Sequence, residues 1–513
     1  MKNHLILLAA AAVVLAACNN RPDIRSISAG EHTRVTLDNG VIEGYLDGDI
    51  YTFKGIQYAQ AERFMPPQDP APFEGVRMCK LYGPQAPQGE TLRWSGDTQR
   101  DYSFGNQFEL EPMDEENCLV LNVWTPGIND GKKRSVYMWI HGGGYSSGSA
   151  HDLPCYEGYA MARKGDIVVV SINHRLNVLG YGDLSGLGGK YAASVNLGMQ
   201  DIVKSLEWVN RNISRFGGNP DDVTIAGQSG GGGKVSALLA MPSAKGLFHK
   251  AIVQSGSSFG FGRPAQTQPQ GIAFAHELGV EPGPDADFSG FSYDELVAAS
   301  RRARMGASPV ADGTIIAGDL FTPETNALNQ DVPMLIGTNF NEFTFDIGVQ
   351  ADEKQIIEQL GRSHGANAEA FYRQFRETYP DQPAEAALYV DLGFRRGAVN
   401  QAAGRARQGA APAYLYLFTW KPETNVLGAS HGMELPFMSN NVSLMREMTG
   451  GTARAYRFQE TVSDIWLAFI KTGDPNVKGI PSWPAYTEEN GATMVLDDKC
   501  LLRGHLDDAL LGL

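Results

Sequence analysis

The chain has 513 residues, enough for a large core, and its 42% hydrophobic and 20% charged content is that of an ordinary soluble globular protein rather than a disordered one. Its formal net charge of −15 argues against a nucleic-acid partner. No Cys-x-x-Cys or His-Glu-x-x-His spacing occurs, so neither a metal site nor a cofactor is expected.

The first residues read as an export signal. Met1-Lys2-Asn3-His4 gives a short basic start, and Leu5 to Ala17 is an unbroken apolar run too short to span a bilayer as a mature helix. The run ends in Leu15-Ala16-Ala17-Cys18, which resembles a bacterial lipoprotein signal. On that reading residues 1–17 are removed, Cys18 is lipidated, residues 18–33 form a polar tether and residues 34–513 form one domain. Acyl chains on Cys18 would hold the exported protein at a membrane of the cell envelope, at about 0.8 kcal/mol per buried CH₂. Cys79, Cys118, Cys155 and Cys500 remain; export permits disulfides, but the sequence does not choose among the possible pairings.

Apolar runs of strand length follow at Val136–Ile140, Ile167–Ile172, Val223–Ala226, Ala251–Gln254, Pro333–Gly337 and Tyr414–Thr419. Most are continuous rather than alternating, the habit of strands buried on both faces of a parallel sheet. Between them Ile202, Leu206, Val209 and Ile213 repeat at helical spacing, and the Phe216-Gly217-Gly218-Asn219-Pro220 turn stops that helix. Alternating strands and helices predict a doubly wound α/β sheet, whose ligands sit at the carboxyl ends of the strands. Residues 256–330 and 343–411, less regular and rich in Gly, Pro and short helical patterns, read as insertions covering the site. Arg301, Arg302, Arg304, Arg395 and Arg396 lie in them and are read as solvated faces rather than as a site for an acidic substrate.

Gly-x-Ser-x-Gly occurs five times, around Ser146, Ser229, Ser258, Ser363 and Ser430. Only at Ser229 does a buried-type strand end at the first glycine and a helical pattern begin after the last, the layout of a nucleophile elbow. A phosphate-binding loop is the rival reading of this stretch, because it runs on to Gly233-Lys234. It fails because Gln228 replaces the first glycine of that motif and Val235 its Ser or Thr.

A serine needs a base for its proton and donors for the oxyanion that forms. His141-Gly142-Gly143-Gly144, directly after a strand, is the oxyanion candidate. His249, His276, His364, His431 and His505 follow Ser229; His431, in a loop after the Tyr414–Thr419 strand, is the base this spacing selects. The acid should follow the strand at Pro333, which makes Glu342 the candidate, with Asp312 and Asp346 as rivals.

From about Val35 to near Leu506 the chain resembles the type-B carboxylesterases, the family of bacterial para-nitrobenzyl esterases, animal carboxylesterases and cholinesterases. The marks are Phe53-Lys54-Gly55-Ile56-Gln57-Tyr58-Ala59, Glu116-Asn117-Cys118-Leu119-Val120-Leu121-Asn122-Val123-Trp124, the glycine loop, the elbow, Ala251-Ile252-Val253-Gln254-Ser255-Gly256-Ser257, His431-Gly432 and Lys471-Thr472-Gly473-Asp474-Pro475. The resemblance implies an α/β-hydrolase fold, with a large and mostly parallel central sheet flanked by helices. It implies an ester hydrolase working through an acyl-enzyme, with Ser229 as nucleophile, Glu342 as acid and His431 as base. Gly143, Gly144 and Gly230 would supply the oxyanion N–H groups. Ser255 falls where the family places a hydroxyl behind the acid and histidine, and Arg63 with Glu116 where it places a structural ion pair.

The chain also departs from the pattern. Gln228-Ser229-Gly230 stands for the usual Glu-Ser-Ala, which removes a carboxylate beside the nucleophile. Asn341-Glu342-Phe343 stands for Asp-Glu-Gly. Cys118 matches half of the family's first disulfide, but Ala86 stands at the other half and Cys79 lies seven residues earlier. Phe108 falls near the place of the choline-binding tryptophan, so a cholinesterase is not expected. A non-catalytic binding protein on the same fold is the alternative; such proteins lack a triad member, and all three are present here. The ester itself is not legible.

Overall fold

The computed structural model describes residues 25–88, 113–344, 350–409, 411–423 and 427–512. The signal at 1–17, Cys18, Phe108 and Asp346 lie outside the described residues. Part of the stretch read as a tether belongs to the fold: Ile27–Ser28 (β1) adds antiparallel to the sheet edge at Leu46–Asp47.

The continuous apolar runs do become strands buried on both faces. A twelve-stranded sheet contains β1, Tyr45–Asp47 (β2), Ile50–Gln57 (β3), Val120–Thr125 (β4), Arg134–Ile140 (β5), Val168–Ile172 (β6), Gly218–Gln228 (β7), Lys250–Gln254 (β8), Met334–Asn339 (β9), Ala413–Phe418 (β10), Thr493–Leu496 (β11) and Leu501–Arg503 (β12). Every residue of β4, β6, β8, β9 and β10 is buried. A side chain covered from both faces must be apolar or fully hydrogen-bonded, which is why these runs do not alternate. A small separate sheet, Arg34–Thr36, Val41–Glu43 and Val76–Met78, sits at the amino-terminal side.

The strand order is β1-β2-β3-β4-β6-β5-β7-β8-β9-β10-β11-β12, and β6 through β11 are mutually parallel. The chain goes from β5 outward to β6 and then returns to the other side of β5 to lay down β7. That reversal opens a crevice at the carboxyl edge between adjacent strands, the place where such sheets bind ligands. The His141 loop leaves β5 there, and the Ser229 turn leaves β7 beside it. Leu197–Asn212 (α1) makes the crossover to β7, and its predicted stripe of Ile202, Leu206 and Val209 is buried against the core.

The helical patterns in the regions read as insertions become helices Pro264–Glu277, Tyr293–Arg302, Glu353–His364, Ala368–Thr378 and Gly393–Gln408, of 10 to 16 residues. Capping boxes at Ser292 and Asp352 start two of them, so local polar signals rather than long apolar runs define these helices. Arg395 is not a solvated arginine. It is buried, its Nε donates to Asp507 Oδ2 at 2.5 Å, and its other nitrogens donate to the Tyr416 carbonyl and Thr493 Oγ1. Arg63 pairs bidentately with Glu115, at 2.7 Å twice, in place of the expected Glu116. One residue of shift suffices because Glu116 faces outward on the turn while Asp114 receives its N–H. All four cysteines of the domain are free and buried.

The Arg395–Asp507 pair ties the carboxyl-terminal segment to the insertion helix and the sheet edge. Removing one partner leaves the other charge buried and unpaired, so Asp507→Ala is expected to destabilise the fold by about 3–5 kcal/mol in denaturant titration. A loss below about 1 kcal/mol would mean that the guanidinium finds water and that the pair does not pin this end.

Candidate active site

The turn after β7 is forced into an uncommon conformation. Ser229 has φ 59° and ψ −128°, at a cost of about 1–3 kcal/mol for a residue with a Cβ, and Gly230–Leu238 (α2) begins directly after it. The turn is held from behind, where Ser229 N–H donates to the Gln254 carbonyl at 2.8 Å. The helix then starts hard against the loop that follows β5. A Cβ on Gly231 would lie 2.1 Å from the Ile140 carbonyl oxygen, and one on Gly230 would lie 2.0 Å from that of Gly144. In this chain glycine permits that approach at both positions, and at 230 it stands where the family usually carries alanine. The first-turn N–H groups of α2 have no partner within the helix and point at the crevice. Across from them Gly143 and Gly144 run at φ 78° and 62°, with the Gly143 carbonyl held by the amides of Ser146 and Ser147 and by Ser147 Oγ.

Glu342 and His431 come together as the spacing predicts. Glu342 lies three residues beyond β9, also left-handed at φ 47°, and is fully buried. Its Oε1 accepts from Asn339 N–H at 2.7 Å and from Ser255 Oγ at 2.6 Å, while Oε2 lies 2.5 Å from His431 Nδ1. His431 N–H donates to the Glu342 carbonyl at 2.9 Å, so backbone as well as side chain fixes the pair. Ser255, directly after β8, takes the position expected behind the acid. The rival Asp312 instead closes a local turn by accepting from Ile315 and Ile316. The other histidines are engaged elsewhere: His249 accepts from Val223 N–H, His276 lies exposed on its helix, His364 stacks on Phe371 and His505 pairs with Asp508.

Nδ1 of His431 faces the carboxylate and carries its proton there, which leaves Nε2 as an acceptor. Its partner is the Gln228 carboxamide nitrogen, at 3.0 Å. The residue before the nucleophile candidate thus touches the imidazole nitrogen that would accept a serine proton. Phe343 lies over one side of the ring, with centroids 4.1 Å apart, and Phe394 lies at 5.4 Å. Phe343 is 43% exposed, so this aromatic wall reaches the mouth of the crevice.

Two further carboxyls crowd this end of the sheet, and neither is apparent from the sequence motifs. Glu434, three residues beyond His431, is buried and bonded by Gln254 Nε2 at 3.0 Å and Asn339 Nδ2 at 2.6 Å. Burial, then the charge of Glu342, pushes its pKa up. Asp391 accepts from Phe394 N–H at 2.8 Å, and burial followed by the Glu342 charge raises it to about 6. Glu434 follows the histidine by three residues in the same turn, a proximity that would have justified a search for it. Asp391 comes from a distant loop and leaves no local signal.

Among the described residues no group of three or more His, Cys, Asp or Glu side chains is placed to hold a metal ion. A buried carboxylate against an imidazole, beside a serine on a strained turn and two facing sets of backbone N–H groups, is an arrangement suited to acyl transfer.

The profile of the carboxylesterase family matches residues 31–508. The chain is 32% identical over 491 residues to a para-nitrobenzyl esterase of Bacillus subtilis (strain 168), covering 91% of this chain and 95% of that protein. It is 30% identical over 490 residues to a phenmedipham hydrolase of Pseudarthrobacter oxydans, covering 90% and 94%. Among solved structures, an esterase from anaerobic Clostridium hathewayi that can hydrolyse aliphatic aromatic polyesters superposes with a TM-score of 0.86 at 34% identity, covering 95% of this chain and 99% of that one.

Two outcomes are expected from this geometry. Gly231→Ala places a methyl group into the Ile140 carbonyl, at the glycine that closes the elbow motif, so kcat/KM for any ester should fall about 100-fold while the fold persists. Activity within threefold of the parent would mean that the loop gives way freely. Asp391, with its folded pKa raised to about 6 from an unfolded value of about 3.9, takes up a proton at higher pH in the folded state; it costs stability in full above pH 6, the cost fades as pH falls from 6 to 4, and little of it remains below 4. Asp391→Asn should therefore raise Tm at pH 8 and gain little at pH 4, whereas a gain independent of pH would rule out this origin.

Proposed function

The chain belongs to the carboxylesterase family, and on that premise we propose that Ser229, Glu342 and His431 are its catalytic triad, with the N–H groups of Gly143, Gly144 and Gly230 as its oxyanion hole. The observation that carries this reading is the 2.5 Å contact between Glu342 and His431 beside the strained Ser229 turn. Protein and relatives alike are ester hydrolases, and what the proposal adds is which atoms act. Ser229 Oγ attacks the ester carbonyl as His431 Nε2 takes its proton. For that, the hydroxyl must displace the Gln228 amide from the Nε2 lone pair. Negative charge develops on the carbonyl oxygen among the loop and helix N–H groups, each worth about 10²–10³ in rate. Glu342 stabilises the imidazolium, which then protonates the departing alcohol. Water, activated by the same nitrogen, releases the acid and restores Ser229.

Phe343 and Phe394 form an apolar wall beside the imidazole, which supports esters carrying an apolar or aryl group next to the scissile bond. The Clostridium hathewayi esterase, which can hydrolyse aliphatic aromatic polyesters, acts on esters of the same class. The amino-terminal stretch supports export and attachment to a membrane of the cell envelope through a lipid on Cys18.

Hydrolysis of p-nitrophenyl acetate, butyrate and benzoate by the purified protein, with an organophosphonate as titrant, tests the assignment. Turnover should cease at one phosphonate per chain, mass spectrometry should place the adduct on Ser229, and Ser229→Ala should retain less than about 0.1% of kcat. Full activity in Ser229→Ala, or an adduct on another serine, would sink it.

A further inference from the structure

Lys234 is the residue that makes the elbow stretch look like a phosphate-binding loop, and the triad makes no use of it. Its side chain lies on α2, fully buried, and its amine donates to the carbonyl of His141 at 3.1 Å. We propose that Lys234 is a positioning residue for the oxyanion hole: its buried amine ties the root of the 141–144 loop to the elbow helix and so sets where the loop N–H groups stand relative to Ser229. This inference rests on the esterase reading above and adds to it a residue outside the triad and the N–H donors.

The loop needs such a tie. Three successive glycines, two of them at positive φ, have little conformational preference of their own. The bonds that order the loop otherwise run within it or to its immediate neighbours: Ser146 and Ser147 hold the Gly143 carbonyl, and His141 Nδ1 lies 3.0 Å from the Gly142 carbonyl. Lys234 binds across to the other half of the site. It does so from one turn below Gly230, where helix and loop touch backbone to backbone and no side chain fits.

The environment is unfavourable for an amine. His141 and His174 stack beside it with centroids 4.8 Å apart, and burial followed by the Lys234 charge pushes both well below the usual histidine range. Each turns Nδ1 toward a carbonyl, those of Gly142 and Arg175, and His174 Nε2 has no hydrogen-bond partner among the described residues. Tyr145 presents its ring at 5.7 Å, and Asp152 is the acidic group that favours the charged amine. Burial outweighs it and holds the lysine down to about 7. A group so unfavourable to bury, placed against a catalytic loop, is retained for what it does there rather than for stability.

The test replaces the amine by an apolar group of similar length. Lys234→Met should fold and unfold at a temperature equal to or above the parent's, because it removes a poorly compensated buried amine. Its kcat on p-nitrophenyl butyrate should fall about 10- to 100-fold with KM nearly unchanged, since the loop N–H groups act on the transition state and not on the bound ester. The inhibition constant of an aryl trifluoromethyl ketone, whose adduct carries the oxyanion, should rise by the same factor as kcat falls. Lys234→Met with kcat and ketone affinity within twofold of the parent overturns the inference, as does a loss of activity that follows a fall in Tm with ketone affinity unchanged. A parent protein that neither turns over nor is labelled at Ser229 instead overturns the esterase reading, and this inference with it.

Discussion

Strands β5 and β7 pair in parallel with Gly227 opposite Ile140, so the 141–144 loop and the Ser229 turn leave the sheet side by side and at one level. The loop and the helix that grow from these two strand ends must then pack against each other with nothing between. The glycines at 230 and 231 are the consequence, because a Cβ at either would strike a loop carbonyl. The same approach brings the first turn of α2 and the loop amides to a common point, which gives a developing negative charge donors from two directions without any side chain. Strain is the corollary. Ser229, Ser255 and Glu342 all sit at positive φ, on the ends of three successive strands, and each is held by a bond to the neighbouring strand or loop. A rigid parallel sheet, buried on both faces, offsets the strain of such residues.

Electrostatics at this edge are arranged by unequal sharing of donors. Glu434 and Asp391 both lie close enough to feel the charge of Glu342. Glu342 takes a backbone N–H, a hydroxyl and the imidazole; Glu434 takes two side-chain amides; Asp391 takes backbone N–H groups at the start of an insertion helix. Only the first is bonded to His431, the imidazole proposed to become positively charged during acyl transfer. The other two are held at raised pKa by their position, and Asp391, the less buried, within reach of neutral pH.

Much of this was legible because it is local. The elbow announces itself where an apolar strand meets glycine and then a helix, the glycine loop lies directly after a strand, and Glu342, Ser255 and His431 each follow a strand by a short segment. Arg395 was misread because its partners, Asp507, Thr493 and Tyr416, lie far along the chain, and an arginine in a polar stretch looks solvated whether or not a distant carboxylate waits for it. Glu115 took the place of Glu116 because an ion pair is chosen by the direction of a side chain on a turn, which spacing does not encode. Phe343 and Phe394 meet over His431 only through folding of an insertion, and two of the insertion helices start at polar caps rather than at long apolar runs.

The departures from the family pattern become coherent around the imidazole. With a glutamine at 228 in place of a carboxylate, the group beside Nε2 is a neutral donor, and it favours the tautomer with the proton on Nδ1, toward Glu342. That tautomer is the one able to accept from Ser229. A donor at Nε2 is, however, poorly matched to the imidazolium, which presents a proton there, so the charged state must draw its support from Glu342 at one nitrogen and from the aromatic faces of Phe343 and Phe394. Replacing the usual glycine by Phe343 puts a ring against the imidazole, with centroids 4.1 Å apart, in a chain that has lost a negative charge beside the nucleophile. Aromatic rings stabilise a neighbouring cation by about 0.5–2 kcal/mol, increasingly so as water is excluded. The loss of one charge and the gain of one ring thus act on the same intermediate in opposite senses.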